Sequence, residues 1–204
     1  MVKTTICSFC FLLYLALTVD AQTTKSSGWS SIVNSIKIGQ KSQLIFDINI
    51  RSTDHWQNIE TTIIRPGISF SVNTKTTLSI GVALVENRKT ISGVTDLVSD
   101  NRLWQQWQTY HKLGKNNLQH RIRLEERMAG TVYAEGSKLK KRNLKFNSRI
   151  RYFNRYQSGF TKGVTFKKGP YWVLQNEFFI NAAGARYANN KIFDQSRTFA
   201  GTGW

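Results

Sequence analysis

Apolar and polar side chains alternate along most of the chain with a period of two. From Gln43 to Arg51, Leu44, Phe46, Ile48 and Ile50 fall on one side and Ile45, Asp47, Asn49 and Arg51 on the other, as successive residues of a strand do. The same rhythm sets Ile64, Ile68, Phe70 and Val72 against Arg65, Gly67, Ser69 and Ser71, and Leu78, Ile80, Val82 and Leu84 against Ser79, Gly81 and Ala83. It is clearest from Leu118 to Met128, where Leu118, Ile122, Leu124 and Met128 oppose Gln119, Arg121, Arg123, Glu125 and Arg127. Phe146, Ile150 and Tyr152 oppose Asn147, Arg149 and Arg151, and Trp172, Leu174, Phe178 and Ile180 oppose Gln175, Glu177 and Asn181. With Trp29 to Ile38, Arg102 to Leu113 and Ile192 to Trp204, the pattern predicts about nine strands and no helix.

The connections alternate in length. Gly39 to Ser42, Asn73 to Lys75 and Gly114 to Asn117 read as tight turns, whereas Asn87 to Asn101, Ala129 to Arg142 and Gln157 to Gly169 read as long loops. This suits an antiparallel meander in one domain. Strands of soluble proteins commonly run about five or six residues, and tilted membrane-crossing strands need about 9 to 11. Most of these runs reach the longer figure, so the predicted fold is an all-β, antiparallel up-and-down transmembrane β-barrel. A soluble secreted β-sandwich with its charged faces in water is the alternative that the pattern leaves open. Trp29, Trp56, Trp104, Tyr110, Tyr152, Trp172 and Trp204 fall near strand ends and suggest an interfacial girdle. Arg65-Pro66-Gly67 predicts a bulge, because Pro cannot donate to a ladder and Gly permits a bend.

The N-terminus changes the picture of compartment. Lys3 precedes an apolar run from Ile6 to Val19, and Val19-Asp20-Ala21 supplies small residues at the positions a signal peptidase reads. Residues 1–21 are expected to be a cleaved signal peptide, too short to span a bilayer, and 22–204 the barrel domain. Cys7 and Cys10 both lie in the leader, so the mature domain offers no disulfide, thiolate metal ligand or cysteine nucleophile. The whole chain of 204 residues carries 29 Lys and Arg against 12 Asp and Glu, a net +17 that survives removal of Lys3 and Asp20. Twenty-five aromatic residues argue against a disordered polycation.

An ordered series of short motifs runs through the mature chain. Arg65-Pro66-Gly67 is followed by Trp104-Gln105-Gln106, His111-Lys112-Leu113-Gly114 and Leu118-Gln119-His120-Arg121-Ile122-Arg123-Leu124-Glu125-Glu126-Arg127. Arg149-Ile150-Arg151-Tyr152-Phe153, Lys168-Gly169-Pro170, Leu174-Gln175-Asn176-Glu177 and Phe193-Asp194-Gln195-Ser196-Arg197 come after. From Trp29 to Trp204 the series resembles DUF2490, an uncharacterised family of predicted outer-membrane β-barrel proteins common in Bacteroidetes-type bacteria. The resemblance implies the outer membrane of a Gram-negative bacterium, contact with outer-membrane lipid, and the barrel-assembly machinery as a partner. It brings no ligand, reaction or catalytic residue. It also implies strands beyond Trp204, and with the even counts of bacterial barrels a complete form of about 10–12 strands. The long loops follow even-numbered strands, where a periplasmic N-terminus would place them after odd ones, which points to a missed strand.

The polar face carries whatever function there is. Arg65, Gln119, Arg121, Arg123, Glu125, Arg127, Arg149, Arg151, Glu177 and Arg197 are the expected lumen lining. Such a lining either attracts small anions by a focused field or fills the barrel with cross-strand pairs. The basic stretch Ser137-Lys138-Leu139-Lys140-Lys141-Arg142 is a solvated loop or a contact for lipopolysaccharide phosphates. Export and strand-wise spacing of the charges count against nucleic acid. An envelope-lipid hydrolase would need an acid–base pair such as His111 or His120 with Glu125 or Glu126, but His120 and Glu125 have opposite parity on one strand. No catalytic residue, metal site or cofactor is assigned, and the expected role is structural or a passive small-anion path.

Overall fold

A computed structural model describes residues 27–53, 55–114, 116–160, 169–187 and 189–204. The expected leader and the motif residue Lys168 lie outside them. The alternating stretches form β1 (Ser27–Lys37), β2 (Ser42–Thr53), β3 (Asn58–Ser71), β4 (Thr76–Ile91), β5 (Val94–Ser99), β6 (Arg102–Leu113), β7 (Asn116–Glu135), β8 (Lys138–Gly159), β9 (Tyr171–Ala183) and β10 (Phe193–Gly203). A single short 3-10 turn, Ala185–Tyr187, precedes β10.

Pairing is antiparallel throughout, in the order β1-β2-β3-β4-β6-β7-β8-β9-β10. β5 adds no position to this row. Glu86 to Ile91 of β4 pair with it, while Thr76 to Ala83 of the same strand pair with β6. β5 and β6 are thus two halves of one partner interrupted at Asp100 and Asn101, and the meander has nine positions. The sheet curls until Arg51 of β2 and Arg197 of β10 line one cavity. It is a curled half-barrel, in which β1 and β10 form the two edges and do not pair with each other among the described residues.

Two stretches expected as long loops are strand instead. Asn87 to Asn101 holds the end of β4, a turn at Ser92 and Gly93, and β5, while Ala129 to Arg142 holds the end of β7, a turn at Gly136 and Ser137, and the start of β8. Ser92 (φ 49°) and Gly93 (φ 79°) both take left-handed backbone, which matches the twist of strands joined by a two-residue turn. These arms project past the apolar part of the sheet, so no apolar alternation marks them. The second arm bends where its register slips between Ala129 and Thr131 and where Asn143 has φ 55°. A Cβ on Gly130 would stand 2.9 Å from the Arg142 carbonyl oxygen, so the bend requires glycine. Bending lays the second arm on the first: the Leu139 N–H donates to Asp96 at 2.9 Å and Lys141 Nζ to the Ser99 carbonyl. The long-loop argument about strand parity falls with these loops.

The expected bulge at Arg65-Pro66-Gly67 is also absent. Pro66 pairs with Phe46 of β2 in unbroken register. On its other side the ladder lapses at Arg65 and Pro66 and resumes at Gly67 opposite Gly81 in the same register. A missing proline donor interrupts a ladder without inserting a residue into it.

The faces of the sheet are inverted relative to a soluble protein. Among the described residues 34 large hydrophobic side chains are exposed and only eight hydrophobic ones are buried, whereas Arg123, Glu125, Arg151, Asn49, Asn147 and Asn181 are buried. The concave side holds the polar row of each strand and the convex side the apolar row. Trp104 departs from the expected girdle: it is only 2 % exposed and packs with Ile63, Ala83 and Val85 on the concave side. Its indole donates to the Val82 carbonyl at 3.1 Å and lies across Gly67 and Gly81, which face each other on β3 and β4. Side chains there would meet the ring and the Pro66 carbonyl oxygen, 2.2 Å from a Cβ on Gly81. Tyr152, by contrast, sits on the convex side in a row of rings, His111, His120, Tyr152, Phe178 and Phe193, with successive centroids 5.9, 6.1, 6.5 and 6.4 Å apart.

Gly81→Val is expected to lower stability by about 1–3 kcal/mol through overpacking under Trp104, measured as the urea midpoint of the folded protein. Gly93→Ala, where a Cβ meets nothing within 4 Å, is expected to act only through its left-handed backbone. Two backbone N–H groups, of Leu139 and Leu97, hold the Asp96 carboxyl below its usual value. A lowered folded value means that the contact is present above the unfolded value of about 3.9 and is lost as pH falls through the folded one. Asp96→Asn is therefore expected to speed hydrogen exchange at the Leu139 amide at neutral pH.

Candidate functional site

Strand parity puts the residues expected to line a lumen on the concave face. Period-two alternation puts Gln119, Arg121, Arg123, Glu125 and Arg127 of β7 on one row, beside Arg149 and Arg151 of β8 and Glu177 of β9. Cross-strand pairing then fixes the contacts, with Glu125 opposite Arg149, Arg123 opposite Arg151, and Arg197 opposite Glu177.

Glu125 is the centre. Only 4 % exposed, it accepts from Arg102 at 3.0 Å, Arg149 at 2.7 Å and Arg151 at 2.6 Å, and Arg123 stands 3.9 Å away. Arg151 bridges onward to Glu177 at 2.8 Å, which also accepts from Arg121 at 2.8 Å. On the other side Arg102 and Arg127 share Asp100, at 2.7 and 2.8 Å, and Arg127 donates to Asn147 at 3.0 Å. Asn147, fully buried, donates in turn to the Ala183 and Gly184 carbonyls. Across the curl, Arg65 pairs with Asp47 of β2. Gln119 shares the row but lies beyond this cluster.

Aromatic rings form the floor. Arg149, Arg151 and Arg197 stand 5.3, 4.8 and 4.8 Å from the Phe179 ring, and Arg123 stands 5.1 Å from Trp104. Arg123 also donates twice to Gln106, at 3.0 and 2.7 Å. Gln106 solves a local problem, because like charges directly opposite on adjacent strands repel. It draws Arg123 one way while Glu125 and Glu177 draw Arg151 the other.

Asp47, Arg51, Asp100, Arg102, Trp104, Gln106, Asn147 and Phe179 complete the site and were not among the expected lining. Asp47 and Arg51 are visible on the polar row of β2. Asp100 sits at the break between β5 and β6, within a stretch that reads as loop, and nothing local identifies its partners.

Two hollows flank the cluster. One of about 390 Å³ is lined by Asp47, Ser69, Ser79, Gln108, Tyr110 and Arg121 among others, and one of about 180 Å³ by Arg51, Arg102, Arg149, Arg151, Phe179 and Arg197. Arg65 belongs to the walls of both. The layer of Arg65, Arg123, Glu125 and Arg151 therefore separates them. His120, hydrogen-bonded to Tyr152 at 2.8 Å, and His111 stand on the convex side away from Glu125, so the acid–base pair a hydrolase would need is not assembled there. Among the described residues no three His, Cys, Asp or Glu side chains are grouped as metal ligands.

The family model described as "Protein of unknown function (DUF2490)" matches residues 26–204. The chain belongs to that family. No curated protein and no solved structure matches it.

Glu125→Gln leaves three buried guanidinium groups facing a neutral amide. Removing one partner of a buried ion pair costs about 3–5 kcal/mol, and a loss of that size in chemical unfolding is expected. Glu125→Gln combined with Arg149→Gln is expected to recover part of it.

Proposed function

We propose that this DUF2490 protein is an outer-membrane β-barrel protein whose interior is braced by the Glu125-centred network, with a structural role in the envelope. One observation carries the reading. The exposed side of the sheet is the apolar one, with Leu44, Phe46, Ile68, Leu78, Ile80, Val82, Leu103, Ile122, Leu174 and Ile180 all facing outward. Monomeric soluble proteins rarely expose contiguous apolar patches beyond a few hundred Å², whereas hydrocarbon requires such a face and satisfies it. Water would suit the opposite arrangement.

Two features support it. Strands of 11 to 22 residues along the meander reach or exceed the roughly 9–11 a tilted crossing needs. The row from His111 to Phe193 combines polar tips with rings, as a girdle at a membrane–water boundary does. In a nine-position antiparallel meander β1 and β10 run the same way, so pairing them directly would make a parallel seam. A further strand between these edges restores alternation and the even count of bacterial barrels. The basic tip of the β7/β8 arm, where Lys138 and Arg142 are exposed, stands ready for lipopolysaccharide phosphates.

A passive path for small anions is the second reading, favoured by the 390 Å³ hollow and its arginines. It requires the layer of Arg65, Arg123, Glu125 and Arg151 to part.

Expression with the N-terminal segment, followed by carbonate extraction of membranes and gel comparison of boiled and unboiled samples, tests the first reading. A carbonate-resistant band whose mobility changes on boiling is the expected result; carbonate-released protein without a shift overturns it. In planar bilayers, current with anion preference that falls in Arg123→Gln supports the path, and absence of current rejects it.

A further inference from the structure

We propose that the 180 Å³ hollow is an oxyanion site, in which Arg51 and Arg197 clasp a phosphate group across the gap between the two ends of the sheet. This deepens the reading of the concave face given above and rests on it. Six arginines line the hollow, Arg51, Arg65, Arg102, Arg149, Arg151 and Arg197, against a single carboxylate, Glu125. Four of the six are already spent on carboxylates: Arg65 on Asp47, Arg102 on Asp100 and Glu125, Arg149 on Glu125, and Arg151 on Glu125 and Glu177. Arg51 and Arg197 form no ion pair among the described residues.

Each is held by other means. Arg51 lies 4.4 Å over the Trp29 ring and Arg197 lies 4.8 Å over Phe179. Stacking occupies the face of a guanidinium and leaves its in-plane N–H fork for an acceptor. Arg197 gives its Nε to Gln195 at 3.3 Å, while Arg51 Nε is buried with no partner at all, an arrangement that costs stability unless an acceptor arrives. The two also repel: among the like charges around Arg51, Arg197 acts most strongly, ahead of Arg151 and Arg65, with Glu60 opposing them. The residues sit on strands near opposite edges of the sheet, and the curl brings both to this hollow.

A tetrahedral oxyanion answers all three features. It supplies acceptors to two forks at once, cancels the mutual repulsion, and prefers Arg to Lys for bidentate contact. The hollow is more than ten times the ~10–15 Å³ that admits one water, so it holds a polyatomic anion. Phosphate is the class that an envelope offers in two forms, the free ion and the headgroup of a phosphorylated lipid.

The test uses the full chain purified from membranes into a phosphate-free glycoside detergent. Inorganic phosphate is titrated against chloride at equal ionic strength, following the thermal midpoint and ³¹P line broadening. The wild-type midpoint is expected to rise with phosphate and not with chloride. Arg51→Gln or Arg197→Gln is expected to weaken phosphate at least about tenfold, from the loss of charge-assisted hydrogen bonds, and to raise the midpoint in phosphate-free buffer by relieving repulsion. Arg51→Lys is expected to bind more weakly than wild type while retaining the response, and Lys75→Gln, at the exposed turn between β3 and β4, to bind as wild type. Phosphorylated lipid that copurifies with wild type and is missing from the double variant Arg51→Gln/Arg197→Gln assigns the headgroup source; binding of the free ion alone assigns the other. Equal responses to phosphate and chloride in wild type, or a double variant that still binds as wild type, overturn the proposal. Boiled and unboiled mobility of the same samples separates the two readings: a retained shift without phosphate binding rejects the site and spares the barrel, and binding without a shift does the reverse.

Discussion

Glu125 sets the terms for the whole sheet. A carboxylate 4 % exposed is tolerated because three guanidinium groups hold it at hydrogen-bonding distance. Charges taken from water are costly unless their geometry and remaining hydrogen bonds are satisfied, so the residues around Glu125 have little freedom. Arg102 must come from β6, Arg149 and Arg151 from β8, and the three strands must stay in register to deliver them. A slip of one residue would turn Glu125 to the convex face and bring Leu124 or Glu126 in. The network therefore locks the register of the middle of the sheet in the way that an apolar core does elsewhere.

The apolar residues displaced from the core explain the remaining architecture. With charge on the concave side, the packed apolar group there among the described residues is the small one around Trp104, Ile63, Ala83 and Val85. Trp104 covers Gly67 and Gly81, filling space that two absent side chains leave and supporting Arg123 from below. Where these glycines face one another, the Trp104 ring lies between their backbone and Arg123. The interior is accordingly divided into two hollows by side chains, and a wider bore would need those glycines and the indole replaced by a different arrangement.

Much of this was legible in the alternation. The row from Gln119 to Arg127 identifies its own concave face, and Arg149, Arg151 and Glu177 follow by the same parity. Period two says which side a residue takes, but says nothing about partners: the pairing of Arg102 with Glu125 depends on a register set twenty-three positions apart. Composition misled at the arms. Asn87 to Asn101 and Ala129 to Arg142 are largely polar because those hairpins bury little beyond Val98 and Leu139, and polarity without alternation reads as loop. Trp104 misled for the opposite reason. A tryptophan near the start of a strand suits an interface, and only Gly81 on the neighbouring strand and Gly67 on the one beyond it make it an interior residue.

The break between β5 and β6 joins these threads. Asp100 stands at the break, its N–H still donating to the Val85 carbonyl at 2.7 Å, and aims its carboxylate at Arg102 and Arg127. That places an acid at the boundary between the braced sheet below and the projecting arms above. Arg127 reaches past it to Asn147, which is fixed to the Ala183 and Gly184 carbonyls where β9 ends. The rim of the half-barrel is thus tied from β6 through β7 and β8 to β9 by one chain of polar contacts. Above it the β7/β8 arm is tied to the first arm through the half-buried Leu139–Asp96 contact and the exposed Lys141–Ser99 contact. Burial of charge is deepest at the Glu125 layer, persists to the Asp100 rim, and falls away along the arms, where the Lys140 and Glu135 side chains are more than half exposed.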